Sequence, residues 1–430
     1  MAVLVLGGYG LIGSAIVDRL IEDGVAVIGL GRDTAAAERR WPRATWRRAD
    51  LARLATPEAW RAILADVEVV VNAAGALQQG LKDDLTAVQD RSMRALYVAA
   101  QEAGVRRIVQ ISAVGAAADA PLAFLRTKGV ADAALRASGL DYVILRPALV
   151  VAPAAYGGTA LLRGLAAFPL LSPLVFPRRP VQTVWVGDVA DAVAAAVAGR
   201  IASGAVLDLA EQPTRTLADT VRLLRAWLGL PPVPVVALPG VVASLAALAA
   251  DLLGWLGWRS PLRSTAMAVM RTGVLGDGDA TPYLGRSFRT LPETLAAMPA
   301  SPQELWFARL WLLKPVIIGM LALFWLASGL IGAVHASGAA AVLTERGTPE
   351  GLARLAVCSG AALDVALGAA VLFRPLARVA LTGMAWVSLA YMVGAGLLAP
   401  DLWLDPLGPM VKAVPGLVLV LVGLAVLDER

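Results

Sequence analysis

The chain has 430 residues, 58% of them hydrophobic, and 38 Lys+Arg against 33 Asp+Glu give a formal net charge of +5. A mean hydropathy of +0.68 is too apolar for an ordinary soluble enzyme, so part of the chain is expected in a bilayer, and the length allows two or three units. The arginines are scattered rather than striped, which argues against a nucleic-acid partner, and a single Cys and a single His exclude an intrachain disulfide and a His/Cys-rich metal cluster.

Residues 2–13 read AVLVLGGYGLIG, a short β-branched run followed at once by Gly7, Gly10 and Gly13. The run reads as a buried parallel strand, and the following SAIVDRLIEDG has a helical period ending at Gly24. Strand, glycine turn and helix together suit a pyrophosphate. Gly7 permits the tight turn, Gly10 lets the backbone approach the phosphates, and Gly13 lets the helix lie close to the strand. Leu11 and Ile12, between Gly10 and Gly13, are expected among the cofactor-binding residues. Met1 runs straight into this strand without a basic stretch, so no signal peptide is expected and the amino-terminal unit is expected in the cytoplasm.

Further strands are expected at Val25–Leu30, Thr45–Arg48, Val67–Asn72, Arg107–Ser112 and Tyr142–Arg146, with helical segments between them. This alternation predicts a Rossmann-type, doubly wound parallel sheet of the α/β class over residues 1–150. Arg32 stands where NAD-specific sites prefer an acid for the ribose hydroxyls, which makes it a candidate for the 2′-phosphate of NADP. A solvated loop arginine is the plainer alternative, and neighbouring Asp33 works against NADP. Residues 151–300 are proline-rich, with strand-like patches at VQTVWV and AVLDLA, and read as substrate-side insertions plus the last sheet elements. Within them Gly240–Trp258 is helical; it either covers a domain core or lies in a membrane interface.

After Pro315 come four apolar stretches, about 316–334, 352–373, 376–398 and 413–427, each approaching the ~20 residues of a spanning helix. They predict a four-helix transmembrane domain over 315–430, with the lipid bilayer as partner. Arg309, Lys314, Arg374 and Arg378 favour one end of it as cytoplasmic. His335 and Lys412 fall at span ends and read as interface residues. Asp364 falls mid-span; an acid there is either functional or a hydrogen-bonded structural group, with Ser359, Ser388 and Tyr391 as candidate partners.

Taken in series, several motifs over residues 1–300 resemble the atypical and extended short-chain dehydrogenases/reductases, especially the group near the NADPH-binding accessory subunit of respiratory complex I. They are GGYGLIG, Gly31-Arg32, Asp50-Leu51, NAAG at Asn72–Gly75, ISAVGA at Ile111–Ala116, LRP at Leu145–Pro147 and VWVGDVADAV at Val184–Val193. The resemblance implies NAD(P) as cofactor, with NADP preferred. It implies cofactor contacts from Asp50 and Leu51 at the adenine and from Asn72, Ala73, Ala74 and Gly75. It also places the family's serine at Ser112 and its lysine, which binds the nicotinamide ribose, at Lys128. Residues 315–430 resemble the DoxX-like membrane family through KPVIIGMLALFWLASGLIG, the span around Asp364 and LGPMVKAVPGLVLVLVGL, which implies a link to quinone and sulfur redox chemistry.

One departure matters. The family's Tyr-x-x-x-Lys pair is here Phe124 and Lys128, in the segment FLRTK. Hydride transfer at a carbonyl carbon needs a proton at the oxygen, which the tyrosine hydroxyl supplies with its pKa lowered by the ammonium. Phe124 has none. Ser112 and Lys128 remain as catalytic candidates, and a water or Tyr156 are further sources of the proton. The expected function is a membrane-anchored oxidoreductase in the cytoplasmic membrane acting on an apolar substrate or a quinone. The alternative is an NADP(H)-binding sensor or assembly module without turnover.

Overall fold

The computed structural model describes residues 1–75, 84–258, 260–277, 281–406 and 408–428. It divides into two compact units, Met1–Leu252 with Ser260–Leu305, and Leu253–Arg259 with Trp306–Arg430. Segment 1–150 and most of 151–300 thus share the first unit, with the strand Ala205–Leu209 paired in parallel with Tyr142–Pro147, while Leu253–Arg259 belongs to the second.

The first unit is built on a seven-stranded sheet. We label its first six strands β1 (Ala2–Leu6), β2 (Ala26–Gly31), β3 (Thr45–Arg48), β4 (Val69–Asn72), β5 (Arg107–Ile111) and β6 (Tyr142–Pro147). The spatial order is β3-β2-β1-β4-β5-β6 followed by Ala205–Leu209, with every pairing parallel. Every strand expected over residues 1–150 is present within two residues of its anticipated ends. Their continuous apolar runs follow from burial on both faces: Val3, Leu4, Val5, Leu6, Val69, Val70 and Val71 have no exposed surface. Helix α1 (Leu11–Glu22) and the helix Val186–Val197 cover one face through Ile16, Val17, Val189 and Val193. The other is covered by Pro57–Leu64, Ser92–Glu102 and Ala123–Ala137 through Trp60, Leu64, Leu96 and Leu135. The chain reverses direction across the sheet between β1 and β4, so a crevice opens there at the carboxyl ends of the strands.

In the second unit all four apolar stretches are helical. Among the described residues three helices, Pro302–Val334, Glu350–Ala370 and Arg374–Leu398, are long and apolar enough to cross a membrane. The fourth, Pro409–Ala425, has 17 residues and packs against Arg374–Leu398. At ~1.5 Å per residue it spans about 26 Å, slightly less than a ~30 Å hydrocarbon core. The first helix begins thirteen residues before the Pro315 from which the sequence reading starts it, and the proline lies inside it. Pro315 removes one backbone donor, but apolar side chains on both sides, such as Ala308, Ile317 and Leu321, are buried and hold the helix together across it.

Candidate functional site

The glycine turn follows directly from β1. Gly7 has a left-handed φ of 69°, donates its N–H to Leu30 O at 3.0 Å and accepts from the Gly10 N–H at 2.9 Å. A Cβ on Gly13 would fall 2.1 Å from the Gly7 carbonyl oxygen, so only glycine lets α1 start this close to the turn. A Cβ on Gly10 would meet only that same oxygen, at 3.1 Å, and otherwise open space. Gly10 caps α1 with no side-chain hydrogen bond, so the first N–H groups of the helix, those of Leu11, Ile12 and Gly13, point outward from a positive helix end. These donors, with no Cβ at Gly10, fit a pyrophosphate.

At the end of β2, the Tyr9 ring lies against Gly31 and its hydroxyl accepts the Arg32 N–H at 3.1 Å. Arg48, at the end of β3, donates Nε to the Arg32 carbonyl at 3.0 Å, so two exposed guanidinium groups flank this corner. Asp33 is turned toward its own helix, accepting the Ala35 N–H at 3.3 Å. Asp50 likewise caps the short turn Leu51–Arg53 by accepting from Ala52 N at 3.1 Å, and Leu51 is buried.

The segment Asn72–Gly75 leaves β4 beside the glycine turn, with Ala73 and Ala74 closest to Gly7. Asn72 is 2% exposed and faces inward. It donates Nδ2 to Gln110 Oε1 at 2.9 Å, and its Oδ1 accepts the Ala74 N–H at 3.1 Å. Its side chain therefore shapes the turn. A Cβ on Gly75 would fall 3.6 Å from Lys128 Nζ, which brings NAAG and Lys128 together across the crevice.

Lys128 is buried and donates Nζ to Ile111 O at 2.9 Å. Desolvation lowers its pKa to about 8, against the upward pull of Asp132. The Phe124 ring occupies the position one turn before it, 5.8 Å from Nζ. Ser112 is 3% exposed, and its Oγ donates to Asp132 Oδ2 at 2.7 Å. Asp132 also takes Arg146 at 3.4 Å, while Asp132 Oδ1 and Arg146 Nε are buried without a hydrogen-bond partner among the described residues. Burial raises the Asp132 pKa, offset in part by Ser112, Arg146 and Lys128. Asp132 is absent from the residues expected from sequence. Its signal was the spacing Phe124, Lys128, Asp132, which puts an acid on the same helix face as the Lys. Tyr156 is 47% exposed, and its backbone is tied to Thr159 rather than to this cluster.

In the second unit Asp364 is 6% exposed and joins three helices. It accepts Ser328 Oγ at 2.9 Å from the first long helix and Tyr391 Oη at 3.0 Å from the third. Of the three candidate partners, Tyr391 is in contact, Ser359 bonds its own helix at Ala356 O and Ser388 makes no hydrogen bond to the acid; Ser328, which was not among them, takes the other place. A Cβ on neighbouring Gly329 would fall 2.6 Å from Ala361 O, which shows how closely the helices approach here. At one end of this bundle Lys314 and Arg374 both donate to Leu427 O, and Arg378 pairs with Asp428. At another position the connectors are tied by Arg346 and Asp401 at 2.6 Å.

Residues 7–167 match the NAD(P)H-binding family and residues 322–421 the DoxX-like family. The fold is similar to that of the Bordetella bronchiseptica enzyme WbmH in complex with NAD+, at 20% identity and a TM-score of 0.52, covering 72% of this chain and 98% of that one. It is also similar to a nucleoside-diphosphate-sugar epimerase from Staphylococcus aureus, at 18% and 0.53, covering 69% and 99%. A third is the UDP-glucose 4-epimerase of Thermotoga maritima with UDP-glucose, at 19% and 0.52, covering 73% and 100%. No curated protein matches the chain. At these identities the structural likeness shows the fold, and the family matches show the nature of each part. The chain joins an NAD(P)-binding Rossmann domain, whose structural neighbours include nucleoside-diphosphate-sugar and UDP-glucose 4-epimerases, to a carboxy-terminal DoxX-like domain in a region with three long apolar helices among the described residues.

Proposed function

We propose that this protein is a membrane-anchored NAD(P)-dependent oxidoreductase acting on an apolar or membrane-borne substrate, a quinone included. The observation that carries the reading is Lys128 Nζ beside Gly75, across the crevice from the glycine turn, in a chain that also holds three long apolar helices. Gly7, Gly10, Leu11, Ile12 and Gly13 would hold the pyrophosphate; Lys128 would hold the nicotinamide ribose. The bound cofactor supplies hydride chemistry. The chain's own task is the proton. With Phe124 lacking a hydroxyl, Ser112 gives its proton to the substrate oxygen. Asp132, which accepts the Ser112 hydroxyl at 2.7 Å, would be the group through which a proton returns to Ser112.

NADP is the preferred cofactor in this reading. Arg32 and Arg48 flank the corner where a 2′-phosphate would lie, and Asp33 is engaged with its own helix. Lys314, Arg374 and Arg378 gather at one end of the bundle, which supports that end as cytoplasmic by the positive-inside tendency. The chain would then be a multi-pass protein of the cytoplasmic membrane with its nucleotide domain in the cytoplasm. Phe124 favours a second reading, an NADP(H)-binding sensor or assembly module without turnover.

The experiment is anaerobic incubation of the detergent-purified full chain with NADPH and a lipid or quinone extract, followed by NADPH absorbance and calorimetry. Consumption supports the enzyme. Tight binding without consumption supports the sensor. Equal weakening of NAD and NADP binding by Arg32→Ala would remove the 2′-phosphate role.

A further inference from the structure

The helix Gly240–Trp255 has its burial pattern reversed. The residues facing inward are small: Ala243, Ala247, Ala250 and Gly254. The large apolar ones face outward, with Val241 64%, Leu245 64%, Leu248 58%, Leu252 61% and Trp255 70% exposed. Their spacing of four, three, four and three residues puts them in one continuous stripe along the helix. A helix that merely covers a soluble core does the opposite, turning its large apolar side chains inward and its small or polar ones to water. The only acid of this helix, Asp251, lies off the stripe and is paired with Arg263 at 2.9 Å.

The stripe has a direction. Its last turn runs into Leu253–Arg259, which belongs to the unit that carries the long apolar helices. There the Leu256 carbonyl accepts the Arg374 N–H at 3.0 Å, and the Trp258 indole donates to Leu372 O at 2.6 Å. The Arg374 guanidinium lies 5.6 Å from the Trp258 ring. Leu372 lies in the connector between the second and third long helices and Arg374 opens the third, at the end of the bundle where Lys314 also donates to Leu427 O. A connector between two spanning helices lies at the bilayer surface, and Trp beside Arg is what that zone favours. The apolar stripe is therefore continuous in sequence with groups fixed at the membrane surface.

We infer that Gly240–Trp255 lies along the bilayer in its interfacial zone, with the face of Val241, Leu245, Leu248, Leu252 and Trp255 in contact with lipid. The occupant of this face is the lipid surface of the membrane that holds the chain. The helix adds a second attachment to the membrane, besides that of the long apolar helices.

The test uses the full chain in vesicles of phosphatidylcholine and phosphatidylglycerol, with Cys358→Ser as background and single variants Leu245→Cys, Leu248→Cys and Leu252→Cys carrying a nitroxide. Power saturation compares collisions with oxygen, which concentrates in lipid, and with a water-soluble nickel complex. Arg222→Cys, on an exposed charged face, is the aqueous control. The proposal expects oxygen to exceed nickel several-fold at all three stripe positions and the reverse at 222. Nickel-dominated relaxation along the stripe would overturn it. Spin–spin broadening that disappears on dilution with unlabelled protein would also overturn it, in favour of a second copy on this face. Each substitution is at an exposed side chain, and unchanged NADPH binding verifies folding of each variant.

Discussion

Lys128 carries its own test. The side chain is 7% exposed, and burial brings its pKa from 10.5 to about 8. In the unfolded chain it titrates near the ordinary value. Between the two values the unfolded state binds more protons than the folded one, so stability rises with pH across that window. Below about pH 8 the folded protein carries the full cost of the buried cation. From about pH 7 to about pH 9 the linkage amounts to ~1.4 kcal/mol, or about tenfold in the opening equilibrium. Lys128→Met keeps most of the side-chain length and removes the charge. The assay is hydrogen exchange of the β4 and β5 amides in the full-length protein in detergent, corrected for the intrinsic pH dependence. Protection in the parent should rise about tenfold relative to Lys128→Met over that range. Parallel curves for the two proteins would refute the argument, because they would mean that Lys128 titrates alike folded and unfolded. The same variant should bind NADPH more weakly, since the ammonium faces Gly75.

The turn makes a contrasting pair. Gly13→Ala, whose Cβ has 2.1 Å to the Gly7 oxygen, should lower the melting temperature and abolish NADPH binding, whereas Gly10→Asp should keep the fold and lose binding by calorimetry. If Gly10→Asp binds NADPH as the parent does, the turn does not hold the pyrophosphate. Phe124→Tyr should create or raise turnover of small ketones, because the ring position is 5.8 Å from Lys128 Nζ; high parental turnover unchanged by the substitution would place the proton source elsewhere. Asp364→Leu strands the Ser328 and Tyr391 hydroxyls and should cost ~1–3 kcal/mol in thermal unfolding, with Asp364→Asn costing less. Normal folding with lost activity in Asp364→Asn would mark a proton-handling acid, and full stability in both variants would remove any role for the two hydrogen bonds.

What lay within a short window of sequence was legible. The β-branched run before Gly7, the glycine spacing and the period of Leu11–Glu22 are local patterns, and the sheet that results has the parallel order they imply. The apolar stretches after Pro315 were legible as helices for the same reason, and length and hydropathy alone mark three of them as long and apolar enough to span. Their ends were less so. Pro315 reads as a break, yet the helix from Pro302 runs through it: Ile317, Ile318 and Leu321 after it pack among the other long helices, and Lys314 before it is held by the Leu427 carbonyl.

What the tertiary structure decided are the contacts between residues far apart in the chain. Ser112 and Asp132 meet only when β5 and the helix Ala123–Ala137 are laid side by side, and that meeting commits the serine to an acid. Asn72, which resembles a cofactor ligand by its motif, faces Gln110 on the adjacent strand, because at that register its side chain points into the core. Asp364 was conspicuous as a mid-span acid, but its partner Ser328 follows from how two helices cross at Gly329. The outward face of Gly240–Trp255 is of the same kind. Composition gives a helix of Leu, Val and Ala; which of them meets the protein and which faces out is set by tertiary contact, since hydrophobicity is a property of residues and burial a property of their neighbours.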